Sequence, residues 1–173
     1  MSEISIAVRL KAPDPEAVTA LATLERLSPD ICPAALERFD HWRFTGPGVT
    51  REAVEEIVSH YPDIVNPNKQ LWSFTRDGLP SRGRDAELRW TGVLITDRVD
   101  SVSENWSRII SGKGFPAVSV RYSVLWRLGF PPDTPEDEAG ERTMALAVAT
   151  HRQRGLLANP VSQEIEISEP GSA

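Results

Sequence analysis

One cysteine and three histidines are scattered over 173 residues, which leaves little from which to build a metal centre or a thiol nucleophile. Cys32 alone excludes an intrachain disulfide and a cysteine-based metal cluster. It stands in a proline-flanked loop that gives it no base by spacing. His41, His60 and His151 form neither an HExxH pattern nor a tight His/Asp cluster, so no metal and no cofactor is expected. His60 and His151 fall near helix C-termini, where a favourable dipole contact is the simplest role. Phosphate-cradling glycine loops are also missing: Gly46 and Gly48 flank Pro47, which suits a turn. No apolar run approaches the ~18 residues that cross a bilayer. Met1-Ser2-Glu3 runs into an alternating stretch rather than a basic segment and an apolar core, so no signal peptide is read and a cytoplasmic location is expected. Lysine occurs only at Lys11, Lys69 and Lys113; arginine supplies the rest of the 19 basic residues, a skew of genome composition before anion binding. Against 25 acidic residues they leave a net charge of -6 and a pI near 5.1, so neither nucleic acid nor membrane is an expected partner.

What is present is an ordinary globular balance, 40% apolar and 25% charged, long enough for one domain or two small ones. Ile4, Ile6, Val8 and Leu10 alternate with smaller or polar residues, the period of a half-buried strand. Asp14-Pro15 reads as an N-cap with proline at the first helical position, opening a helix with Val18, Leu21, Leu24 and Leu27 on one stripe. A second strand spans 36–44, a helix behind Thr50 spans 51–60, and a short strand holds Leu71, Trp72 and Phe74. The first half therefore reads β-α-β-α-β.

From 76 to 89, glycine, proline, serine and charges without apolar period mark a linker or long surface loop. The pattern then restarts with a strand at 93–95, a helix at 99–110 and a long alternating strand at 118–128. An acidic, proline-rich loop follows at 130–140, then an alanine-rich helix at 141–154, a strand at 161–167 and a fraying tail. That loop reads as solvated, with the option of docking or repelling a basic surface.

Some residues recur between the halves. Trp42-Arg43-Phe44 has its counterpart in Trp126-Arg127-Leu128, 84 positions on, and Ile64-Val65-Asn66-Pro67 in Leu157-Ala158-Asn159-Pro160, 93 positions on. The acidic loop accounts for the drift, and a shared order of elements argues for duplication. Val8-Arg9-Leu10-Lys11 with Asp14-Pro15-Glu16-Ala17-Val18 resembles the opening of the PurS family, the small subunit of formylglycinamidine ribonucleotide synthetase. Leu156-Leu157-Ala158-Asn159-Pro160-Val161 before Glu164-Ile165-Glu166-Ile167 resembles its ending. The chain departs from the family where Glu16-Ala17 replaces Gln-Gly, where Asp97-Arg98-Val99-Asp100 lacks the Leu-Lys…Asp-Pro opening, and where Trp42 and Trp126 replace a smaller bend.

The resemblance implies an α+β fold of two PurS-like, ferredoxin-like-related repeats forming an intrachain pseudo-dimer. Repeat 1 would occupy 1–75, the linker 76–90, repeat 2 91–168, and a flexible tail 169–173. It implies a protein without catalytic groups, an adaptor between a glutamine amidotransferase (glutaminase) and an ATP-dependent synthetase in purine biosynthesis. Covalent linkage would raise the effective concentration of one repeat for the other to about the millimolar range. The chain would be a monomer with pseudo-dimer symmetry or a homodimer. The alternative is a stand-alone small-molecule-binding module unrelated to purine synthesis; an enzyme in its own right lacks an acid, base or nucleophile constellation.

Among the five tryptophans, Trp42, Trp106 and Trp126 fall on faces expected to pack in the core or between halves. Trp72 and Trp90 flank the linker and, if exposed, suit a partner interface. Arg76, Arg82, Arg84 and Arg89 are the residues that would grip a phosphate or carboxylate on a partner. The plainer reading is a solvated linker partly neutralised by Asp77, Asp85 and Glu87.

Overall fold

The computed structural model describes residues 1–80, 87–116, 119–148 and 155–168. Arg82, Arg84, His151 and the tail at 169–173 lie outside the described residues. Among those described, the chain is α+β, with six strands and four α-helices. In order they are β1 (Ser2–Leu10), α1 (Pro15–Leu27), β2 (Ala35–Gly46), α2 (Arg51–His60), β3 (Gln70–Phe74), β4 (Arg89–Asp97), α3 (Ser101–Gly112), β5 (Ser119–Phe130), α4 (Glu136–Ala147) and β6 (Gln163–Ser168). A single 3-10 turn, Thr75–Asp77, follows β3.

Local chemistry sets most helix ends. Asp14 accepts the Glu16 N–H at 2.9 Å with Pro15 behind it, and Pro29 blocks continuation beyond the Ser28 cap. Thr50 caps α2 by accepting the Ala53 N–H at 3.2 Å. Asp100 caps α3, accepting the Ser103 N–H at 2.9 Å and the Ser103 hydroxyl as well. α4 begins five residues before the expected start at 141. Glu136, Asp137 and Glu138, read from sequence as loop, form its first turn behind Pro135, where carboxylates meet the positive end of the helix dipole. β4 is also longer than the expected core of Val93, Leu94 and Ile95, because Arg89 to Thr91 pair with β5.

The strands are ordered β3-β1-β2-β5-β4-β6. β1 pairs antiparallel with β2 and β3, and β4 with β5 and β6. Ile6 stands between Trp42 and Phe74, and Val8 between Asp40 and Trp72. In β4, Val93 stands between Trp126 and Ile167, and Ile95 between Val124 and Ile165. Trp90 lies opposite Gly129, where a Cβ would come within 2.8 Å of Leu88 Cδ1 and 3.0 Å of the Trp90 ring. A side chain there would have to displace the Leu88 methyl and press on the Trp90 ring.

Before β3 and before β6 the chain makes the same turn. Asn66 Oδ1 accepts the Asn68 N–H at 3.0 Å, while the Asn66 N–H donates to Gln70 Oε1 at 2.6 Å. Asn159 Oδ1 accepts the Val161 N–H at 3.0 Å, while the Asn159 N–H donates to Gln163 Oε1 at 2.8 Å. The Gln70 N–H returns to the Asn66 carbonyl and the Gln163 N–H to the Asn159 carbonyl. Lys11 N–H reaches the Lys69 carbonyl, and Arg98 N–H the Ser162 carbonyl, each at 2.9 Å.

Contacts divide the chain into two compact units. Unit 1 comprises Met1–Ala12, Asp40–Pro80 and Val99–Ser123; unit 2 comprises Pro13–Phe39, Ser81–Arg98 and Val124–Ala173. Helix α1 therefore belongs to unit 2, and α3 to unit 1. The core of unit 1 gathers Ile6, Val8, Trp42, Phe44, Val54, Ile57 and Phe74 with Ile110 of α3. That of unit 2 gathers Val93, Trp126, Leu128, Phe130 and Leu146 with Ala17 and Leu24 of α1. The second strand of each half runs through both units.

Candidate functional site

The residues singled out around the linker are placed in two different units. In unit 1, Trp72 is half-buried on β3, and its ring meets Phe74 edge-on with centroids 5.2 Å apart. Arg51 stacks on Phe74, its guanidinium carbon 4.3 Å from the ring centroid, and pairs with Asp77 at 2.5 Å. Arg76 stands exposed in the turn after β3. Gly78 closes that turn at φ 101°, a left-handed conformation glycine adopts without strain.

In unit 2, Trp90 is half-buried and supports Arg127, whose guanidinium carbon lies 4.4 Å from the indole centroid. Arg127 also donates to Glu37 at 3.2 Å. Trp90 is thus a platform for a cross-strand cation. Arg89 is half-buried, with its Nε enclosed and lacking a hydrogen-bond partner among the described residues.

Sequence reasoning did not foresee an aromatic shelf in unit 1. Trp42 of β2 meets Tyr122 of β5 at 4.8 Å and Trp106 of α3 at 6.2 Å. Tyr61, just past α2, continues the row to Trp106 at 5.2 Å, and Phe115 adds a further edge at 6.3 Å from Tyr61. His60 stands exposed at its margin, 6.0 Å from Phe115. Tyr61, Trp106, Phe115 and Tyr122 are each half-buried, so the shelf offers ring surface to solvent as well as to the core. The Tyr122 hydroxyl donates to Asp40 at 2.8 Å. Trp42 is 4% exposed, and its indole N–H has no acceptor among the described residues. These rings come from distant segments, so no spacing in the chain announces them. The available signal was the tryptophan count and the apolar stripe of α3.

The shelf supplies stacking and apolar contact. A buried titratable group, His41, follows Asp40 in β2 and lies on the opposite face of the strand from Trp42. It lies beside Ala7 of β1 and is 3% exposed. Burial first, and Arg43 second, hold its pKa down at about 4, so the ring is neutral at pH 7. On the same face Arg9 is buried and donates to the Pro80 carbonyl at 3.2 Å. Burial and the charge of Glu25 push the Cys32 thiol up, which keeps it protonated and weakly nucleophilic.

Among the described residues, no group of three or more His, Cys, Asp or Glu side chains is arranged to hold a metal ion. No helix among them is long and apolar enough to cross a membrane. No protein-family model matches this chain, and no curated protein sequence does.

Proposed function

We propose that this chain is a PurS-like adaptor formed by tandem duplication, its two β-α-β-α-β repeats making a pseudo-dimer within one polypeptide. In this reading it bridges a glutaminase and an ATP-dependent synthetase in the cytoplasm and carries no catalytic group of its own. The observation that carries the proposal is the pair of Asn-Pro-x-x-Gln turns. Asn66 to Gln70 and Asn159 to Gln163 make the same side-chain and backbone hydrogen bonds, each between a helix and the last strand of its half. The strand registers agree with it: Ile6 opposite Trp42 and Val93 opposite Trp126 hold matching positions.

The test is reconstitution. The chain is expected to co-purify with a glutaminase and a synthetase, and glutamine-driven amide transfer is expected to fall when it is omitted. A synthetase that uses glutamine equally well without it overturns the proposal. The aromatic shelf favours a second reading, a stand-alone binder of a planar small molecule; a thermal shift with one nucleotide or amino acid in the absence of any enzyme subunit selects it.

A further inference from the structure

In unit 2, β6 ends the strand order, and beside it α4 leaves an open groove. The groove, about 470 Å³, is lined by Gly140, Glu141, Met144 and Ala145 of α4 and by Ile167 of β6. Ile167 is 51% exposed, a large aliphatic side chain left half in water at a sheet edge. Gly140 deepens the space, since a Cβ built there meets nothing within 4 Å. The opposite face of β6 carries Glu164 and Glu166, both exposed. Glu164 is engaged by Arg98 at 3.8 Å.

We infer that β6 and the α4 groove form a docking edge for an extended segment of a partner protein in which apolar and basic residues alternate. An added strand hydrogen-bonds to the outer side of β6, and its alternate side chains point to opposite faces. On the helix face its apolar side chains enter the groove against Met144, Ala145 and Ile167. On the other face its basic side chains lie beside Glu164 and Glu166, where opposite charges across neighbouring strands are favourable and like charges are not. Charge selects this occupant over a second copy of the chain. Two β6 strands paired with their helices on one face would set Glu164 and Glu166 against their own kind. On β3, at the other end of the strand order, Arg51 and Trp72 pack on the Phe74 ring. The edge would take such a segment whichever proteins the chain assembles with.

The test uses the full chain and two labelled nonapeptides, one alternating valine with arginine and the other alternating valine with glutamate. Fluorescence anisotropy is expected to show binding of the valine–arginine peptide at least tenfold tighter than its counterpart. Hydrogen exchange is expected to slow at the amides of Gln163–Ser168. Gly140→Leu fills the groove while removing a poor helix former. It should weaken binding at least tenfold without lowering the melting temperature. Glu166→Lys should weaken the valine–arginine peptide and strengthen the valine–glutamate one. The proposal is overturned if both peptides bind alike, if Gly140→Leu leaves affinity unchanged, or if protection appears away from β6. A concentration-dependent dimer broken by Gly140→Leu also overturns it, in favour of a second copy as occupant.

Discussion

His41 sits on β2 in the row Ser73–Ala7–His41, with neutral neighbours on β1 and β3 and the cationic Arg43 two residues along its own strand. A histidine held at about pKa 4 in the folded chain, against about 6.5 when unfolded, takes up a proton only in the unfolded state between those values. Stability is therefore lost as pH falls from about 6.5 towards 4, by about 3 kcal/mol across the window, and levels off below it. His41→Asn removes the titration, so its urea midpoint should fall less than that of the parent between pH 7 and 4.5. Equal slopes in the two proteins would show that other groups carry the acid response. The sequence offered His41 only as a residue beside Asp40 in a strand. Its burial, 3% exposed, depends on what covers that face of β2, and no local pattern encodes that cover.

At the scale of elements, the Asn-Pro-x-x-Gln turns are local structures that the chain makes twice with the same bonds. Each asparagine side chain holds the N–H two residues on, and each glutamine side chain holds the asparagine N–H. Asn66→Ala and Asn159→Ala should each cost about 1 kcal/mol in urea unfolding, the usual size for one such bond. The two turns share no bond, so the double variant should lose the sum of the two. Unequal costs would show that one turn is supported by something the other lacks. The Asn-Pro pairs stand out in the chain, whereas Gln70 and Gln163, which hold the same place and complete the turns, form no motif by themselves. The start of α4 is not legible in the sequence for a related reason. A run of carboxylates after proline serves equally as solvated loop and as the first turn of a helix, and the apolar neighbours that decide between them arrive only with packing.

At the scale of the whole molecule, each compact unit draws on both halves of the polypeptide. Residues 1–80 contain β1, α2 and β3 of unit 1 but lack Ile110 of α3 and Val120 of β5, which are 0% and 2% exposed in its core. A fragment of residues 1–80 should accordingly fail to unfold cooperatively in urea. Mixing it with a fragment of residues 87–173 should restore a cooperative transition. A fragment 1–80 that unfolds cooperatively alone would mean that its own apolar surface suffices.

The sequence by itself determined the local order: alternating apolar residues for the strands, capped stripes for α1, α2 and α3, and prolines and Asn-Pro turns between them. These follow from backbone geometry and near-neighbour hydrogen bonds, which act over a few residues and leave a period in the chain. Only the tertiary structure decided which helix completes which core, which rings meet in the aromatic shelf, and which edge keeps an open groove. Apolar burial is non-directional and proportional to area, so a stripe records that a face must be covered without recording by what. For that reason the strands around Trp42 and Trp126 were legible in the sequence, while Trp90 beneath Arg127 and Ile167 at the margin of α4 were not.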